Sequence, residues 1–236
     1  QYDITYGFDG WGGLYADSPA IGKWLDGVYR PKADAALKAG GHIPGPLIFM
    51  REEADLSKGT DLNAFAPRFS HAYGDLRRLP TVLVENHSLK PYRQRVLGTY
   101  VLLEATLNAL ASEGRSLKAA IAADRALRPS NVDANWKEKK EPVRWLDFLT
   151  IEGAEAETSA TGGKTMRWTG KPGPAVKIPV YGSEPGLQLS VPKAYWIPAT
   201  KPEAIARLKV HGVAFDTIKK TLDVTAWLLW FAETVL

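Results

Sequence analysis

The sequence predicts an α/β protein: part of a parallel or mixed sheet flanked by helices, then a smaller, mostly-β domain with one helix. Three observations carry that expectation. Thr81-Val82-Leu83-Val84-Glu85 is a continuous β-branched run bounded by Pro80, the pattern of a buried strand at the centre of a sheet. Apolar residues at helical spacing stand on both sides of it, Ile21, Trp24, Leu25 and Val28 before and Val96, Tyr100, Leu103, Leu107 and Leu110 after. Beyond residue 142 the apolar runs are short and separated by Gly and Pro, an all-β rhythm.

Residues 1–17 are rich in Gly, Asp and aromatics. Gly7-Phe8-Asp9-Gly10-Trp11-Gly12-Gly13 lacks the spacing of a dinucleotide fingerprint and the Lys-Ser/Thr of a phosphate loop. It reads as a loop where backbone approaches closely, with Trp11 and Tyr15 packed nearby. Ser18-Pro19 opens a helix, with Ser as N-cap and Pro at the first helical position. Pro31 is expected to kink or split this helix, and Gly40-Gly41 to stop it. Leu47–Met50 reads as a short buried strand and 52–67 as a charged surface loop. A long helix is expected from Pro91 to about Glu113, ended by Gly114, with a weaker helical pattern over 116–128.

Pro129-Ser130-Asn131 and the mixed charges of Lys137–Glu141 mark a linker, so the expected division is 1–128, 129–142 and 143–236. Strands are expected over 144–151, 164–169, 175–181, 187–191, 194–197, 213–218 and 222–231. Thr200 and Glu203 have the spacing of a capping box, opening a helix that buries Ile205 and Leu208 and closes at Gly212.

Of the 236 residues, 45% are apolar and 24% charged, which excludes a disordered or fibrous chain. There is no cysteine, so disulfides, thiolate metal sites and cysteine catalysis are excluded. The net charge of +4 is spread among acids, which argues against nucleic acid as a partner. No run reaches the ~20 apolar residues of a membrane span. The chain opens on Gln1-Tyr2-Asp3 and closes on Val235-Leu236 after an apolar run, so both ends read as edges of a longer protein.

His42, His71, His87 and His211 form no H-E-x-x-H or H-x-x-E pair, and no G-x-S-x-G is present. His211, beside Gly212 at a helix end, reads as structural; His71 and His87 bracket the buried strand. Glu85 ends that strand. Sites in open α/β sheets lie outside the carboxyl ends of strands, where partial desolvation suits a carboxylate to proton transfer. The structural alternative is an ion pair with Lys90, Arg93 or Arg95.

The stretch Pro80–Val96, with Glu85-Asn86-His87-Ser88-Leu89-Lys90-Pro91 at its centre, resembles the zinc metallocarboxypeptidase (carboxypeptidase A-like) family. Within that family it is most similar to a bacterial branch whose strand carries the catalytic glutamate before a His-Ser-Leu-Lys segment. Arg68–Gly74 and the Gln1–Tyr6 opening resemble the same branch, over about residues 1–115; residues 144–218 resemble its accessory region more weakly. The resemblance implies that 1–128 is the C-terminal portion of a peptidase domain and 143–236 a β-rich accessory domain. It implies Glu85 as general base and Tyr73 as substrate-capping tyrosine. The substrate would be a peptide or a peptidoglycan-type stem peptide, and a periplasmic or secreted setting is slightly favoured.

The family's zinc ligands, an H-x-x-E pair and a third histidine, cannot be placed in this chain, nor can its carboxylate-binding arginine. All would fall before Gln1. The expectation is therefore that zinc belongs to the parent protein, that the metal ligands are not in this chain, and that the chain alone hydrolyses nothing. An open sheet edge is then expected, covered either by the N-terminal half of the same domain as a partner or by this half closing on itself in another way. The alternative function is a non-catalytic peptide- or glycan-binding module presenting Trp136, Trp145, Trp168 and Trp196, residues that would otherwise pack a core.

Overall fold

The computed structural model describes residues 1–52, 55–62, 66–158, 160–223 and 225–226. Its contacts divide the chain into two units, residues 1–191 and 192–236. The content is mixed α/β, with parallel and antiparallel strand pairs and helices, as expected.

The first unit opens on β1 (Ile4–Gly7), whose Ile4 and Tyr6 are fully buried. Helix α1 (Pro19–Trp24) passes through one wide π-turn (Leu25–Tyr29) into α2 (Arg30–Ala39). Pro31 thus does not split the helix. Its ring crowds the carbonyl four residues back, and the widened turn ahead of it absorbs the mismatch. Strands β2 (Pro44–Pro46) and β3 (Phe49–Met50) follow, with Leu47 buried but Phe49 exposed, so the single buried strand expected there is two short ones. The expected loop over 52–67 contains β4 (Thr60–Leu62), with Thr60 fully buried. Then come α3 (Ser70–Leu76) and β5 (Leu83–Asn86). β1 lies between β2, parallel to it, and β5, antiparallel to it.

β5 is therefore an edge strand, where the sequence predicts a central one. Val84 and Glu85 are exposed on it. A continuous apolar run is ambiguous, because it fits any strand that is to be covered, whether or not its cover lies in the chain.

Helix α4 (Tyr92–Ala126) runs uninterrupted for 35 residues, straight through Gly114. It lies antiparallel to α1 and α2: Trp24 Nε1 donates to Ser116 Oγ at 2.9 Å, and a side chain at Gly40 would touch Val101. The buried stripe is Gly98, Leu102, Ala105, Ala109 and Leu117. The predicted core face, Val96, Tyr100, Leu103, Leu107 and Leu110, is exposed instead. Two apolar stripes share this helix. The one with small residues lets α2 approach closely, and the bulkier one points away.

The core joins Ile4, Tyr6 and Phe8 to Trp11, Ile21, Trp24, Leu25, Tyr29, Ala33 and Leu37, closed by Leu102, Ala109 and Leu117. Each fully buried Ile or Leu stabilises it by roughly 1.5–3 kcal/mol. The Tyr6 hydroxyl donates to Asp34 Oδ1 at 2.6 Å and the Tyr29 hydroxyl meets Thr106 Oγ1 at 3.0 Å, so both tyrosine hydroxyls of this layer are satisfied.

Ser18 occupies the position before α1 but makes no capping bond, because its hydroxyl donates to the Asp75 carbonyl at 2.5 Å. The cap comes from the far end of α4. The Asp124 carboxylate, 2% exposed, accepts from Ala20 N at 3.0 Å and Ile21 N at 2.8 Å. Asp75 likewise accepts from the backbone N–H groups of Asp17 and Ser18. Orphan donors at this helix start are thus met by carboxylates from elsewhere in the chain.

Residues 131–138, within the stretch expected as a linker, form β6 (Asn131–Glu138). With β7 (Arg144–Glu157) and β8 (Lys164–Ser190) it makes one long antiparallel ribbon. The separate strands expected over 164–191 are this single β8. Residues 139–143 interrupt the pairing between Glu138↔Ser183 and Arg144↔Val180, so five residues stand opposite two. Ile178 and Val180 are buried where β4 joins β8 in parallel. Gly59, φ +78°, makes that junction possible, since any side chain there would overlap the Pro179 backbone.

In the second unit α5 (Pro202–Val210) half-buries Ile205 and Leu208. Its N-cap is Lys201 with no side-chain bond, so the expected Thr200–Glu203 capping box does not form. Residues 194–197 and 213–218 are not strands. The expected strand over 222–231 lies partly outside the described residues, and its described part is not a strand.

Candidate active site

Glu85 is the third residue of β5 and stands opposite Thr5 of β1. The Thr5 hydroxyl donates to the Glu85 carbonyl at 3.3 Å, holding the backbone while the side chain stays in solvent. The partly desolvated position expected for this carboxylate is not found. Nor is the alternative ion pair. Lys90 Nζ donates to the Gln1 carbonyl and Arg95 Nε to the Lys90 carbonyl, and among the described residues no cation pairs with Glu85.

The residues after Glu85 turn back against the start of β1. Asn86 Nδ2 donates to Thr99 Oγ1 at 2.7 Å, and the His87 N–H to the Asp3 carbonyl at 3.2 Å. Asp3, 2% exposed, also meets His42 Nδ1 at 3.2 Å and Gln94 Nε2 at 2.9 Å through one carboxylate oxygen. This polar knot fixes the carboxyl end of β5 and so the place of Glu85. His42 is buried in it.

Tyr73 lies on α3 and is half-buried. Among the described residues no hydrogen bond or ring contact joins it to Glu85. His71, on the same helix, is buried, and desolvation lowers its pKa. His87 is exposed after β5, so the two histidines that bracket the strand in sequence have unlike surroundings.

His71 faces a small cavity of about 30 Å³ that the sequence does not announce, lined also by Phe8, Asp9, Trp11, Tyr15 and Leu47. That volume holds about one water molecule, not a substrate. Burial pushes the Asp9 carboxyl up to about 7, with the nearby Asp75 and Asp17 carboxylates adding to it. Burial also raises Tyr15, whose hydroxyl donates to Asp17 Oδ1 at 2.8 Å. Flanking Gly and aromatic residues were the available signal: a carboxylate in such a loop has little water around it.

Among the described residues no group of three or more His, Asp or Glu side chains is placed to hold a metal ion. These side chains do not fit a zinc site by themselves. Trp145 is 60% exposed and Trp168 51%, whereas Trp136 is half-buried with its ring 3.9 Å from that of Tyr15. Trp196, in the second unit, is exposed too. No protein-family model, no curated protein and no solved structure matches the chain.

Proposed function

We propose that the chain supplies the proton-transferring carboxylate, Glu85, of a carboxypeptidase-like metallopeptidase. Its substrate would be a peptide or peptidoglycan-type stem peptide, with the zinc ligands on polypeptide outside this chain. The observation that carries the reading is Glu85 itself: exposed, without a cation partner among the described residues, and at the carboxyl end of an edge strand whose outer side is open. The uncovered apolar stripe of α4 supports it, since a strand edge and an apolar helix face both call for further polypeptide. In this reading Glu85 takes a proton from the attacking water as the C–O bond forms. It returns that proton to the amine nitrogen as the C–N bond breaks.

The test is release of C-terminal amino acids by the chain purified gently from its source, with whatever polypeptide accompanies it. Glu85→Gln should lower the rate about 10²–10⁴-fold, the usual range for a lost general base. The chain stripped of partners should show no turnover. An unchanged rate in Glu85→Gln removes the proposal. The exposure of Trp145 and Trp168 favours a second reading, a non-catalytic peptide- or glycan-binding module. In that case ligand would quench tryptophan fluorescence without any product in the same assay.

A further inference from the structure

Where the pairing along β8 passes from β6 to β7, a cleft of about 580 Å³ opens between the glycine loop and the ribbon. Its lining includes Gly12, Tyr15, Lys139, Arg144 and Gly182, and no acidic residue among the described residues. The size is that of a small-molecule site. The break creates it: residues 139–143 are five against two residues of β8 and bulge from the ladder, and Lys139 is held by its backbone N–H on the Gly182 carbonyl at 2.9 Å. Irregularities of this kind re-aim side chains beside functional sites.

Arg144 is fixed in place. Its Nη1 donates to the Gly12 carbonyl at 3.1 Å, and the guanidinium fills the space where a residue other than glycine would carry its Cβ. Gly12 has φ +62°, so glycine is favoured there twice over. That single bond leaves four of the five guanidinium N–H donors for other partners. Arg144 and Lys139 are both half-buried, and among the described residues neither pairs with a carboxylate. Of the acids near this loop, Asp26 accepts the Gly12 N–H and is paired with Arg30 at 2.9 Å, and Asp17 accepts the Tyr15 hydroxyl at 2.8 Å. Both cations line one cleft, so an oxyanion there would meet two charge-assisted donors.

We infer that this cleft binds a small dianionic ligand, of the phosphate-monoester or dicarboxylate kind, whose anionic oxygens are held by Arg144 and Lys139. Arg144 offers the fork and Lys139 a point charge. The apolar part of the ligand would lie along Leu14 and Val143, which also line the cleft. The inference is independent of Glu85, which does not line it.

The test is calorimetric or NMR titration of the full chain with inorganic phosphate and with succinate, against chloride at equal ionic strength. Both dianions should bind, and the tighter of the two identifies the ligand kind. Lys139→Gln and Arg144→Gln should each weaken binding about tenfold or more, the loss expected for one charge-assisted contact. Lys137→Gln, on the neighbouring exposed strand, should leave it unchanged. Gly12→Ala keeps every charge but displaces the guanidinium, so it should weaken binding as Arg144→Gln does. Because Gly12→Ala and Arg144→Gln could disturb the fold, circular dichroism accompanies them, and Lys139→Gln carries the comparison if they unfold. No preference for dianions over chloride, or equal losses in Lys137→Gln and Lys139→Gln, overturns the inference.

Discussion

Asp9 illustrates how little of a residue's chemistry its own identity decides. Its carboxyl sits among Phe8, Trp11 and the Asp75 and Asp17 carboxylates, and burial with like charge pushes it up to about 7 from 3.8. The folded chain therefore holds a proton that the unfolded chain releases. The stabilisation is full below pH 3.8, declines as pH rises, and is lost once pH passes about 7. The slope from this group is about 1.4 kcal/mol per pH unit inside that window. Asp9→Asn should remove the slope, and so be more stable than the parent above neutrality. Denaturant unfolding of both proteins across the window checks this; parallel curves would show that Asp9 does not titrate there. The Gly-Phe-Asp-Gly-Trp context hinted at burial, but the two acids that add to the shift come from outside that loop. Glu85 is the opposite case. Its place at a strand end was legible, whereas its solvation depended on which neighbour strands were present.

At the scale of elements, helix starts were readable and helix caps were not. Pro19 opens α1 as expected, yet the donors of its first turn are met by Asp124, more than 100 residues away in the chain. Asp124→Ala leaves two N–H groups without an acceptor in a site with little water. It should cost about 2–3 kcal/mol in denaturant unfolding, whereas Ser18→Ala should not mimic a lost cap, because Ser18 makes none. A cost for Asp124→Ala under about 0.5 kcal/mol, the range of an ordinary surface change, would contradict the long-range cap. The ribbon gives the same lesson. Gly and Pro between short apolar runs predicted several strands, but β8 passes through Gly170, Pro172, Gly173, Pro174 and Gly182 as one. Register shifts in its pairing at Leu149–Ile151 and Ile151–Gly153 absorb part of this irregularity, so turn residues there became bulges rather than turns.

For the whole molecule, the decisive fact is the bulky apolar stripe of α4 left in solvent. Val96, Tyr100, Leu103, Leu107 and Leu110 follow each other at spacings of four and three, the seam of a helix that packs on something. The isolated chain should self-associate or bind a hydrophobic dye through this stripe. Leu103→Glu with Leu107→Glu should abolish that while changing stability within about 0.5 kcal/mol, as exposed positions allow. Sedimentation velocity and denaturant unfolding together decide it, since a loss of several kcal/mol would mean that the stripe is packed within the chain. By itself the sequence determined the α/β class, the existence of the long helix, the run that becomes β5 and Glu85 at its end, all set by local periodicity and turn chemistry. Tertiary structure alone decided that β5 is an edge, that α4 buries its small-residue stripe, that Asp124 caps α1 and that Arg144 rests on Gly12. Periodicity says which residues of an element point the same way. It does not say which neighbour comes to meet them, and that choice is made by packing between segments far apart in the chain.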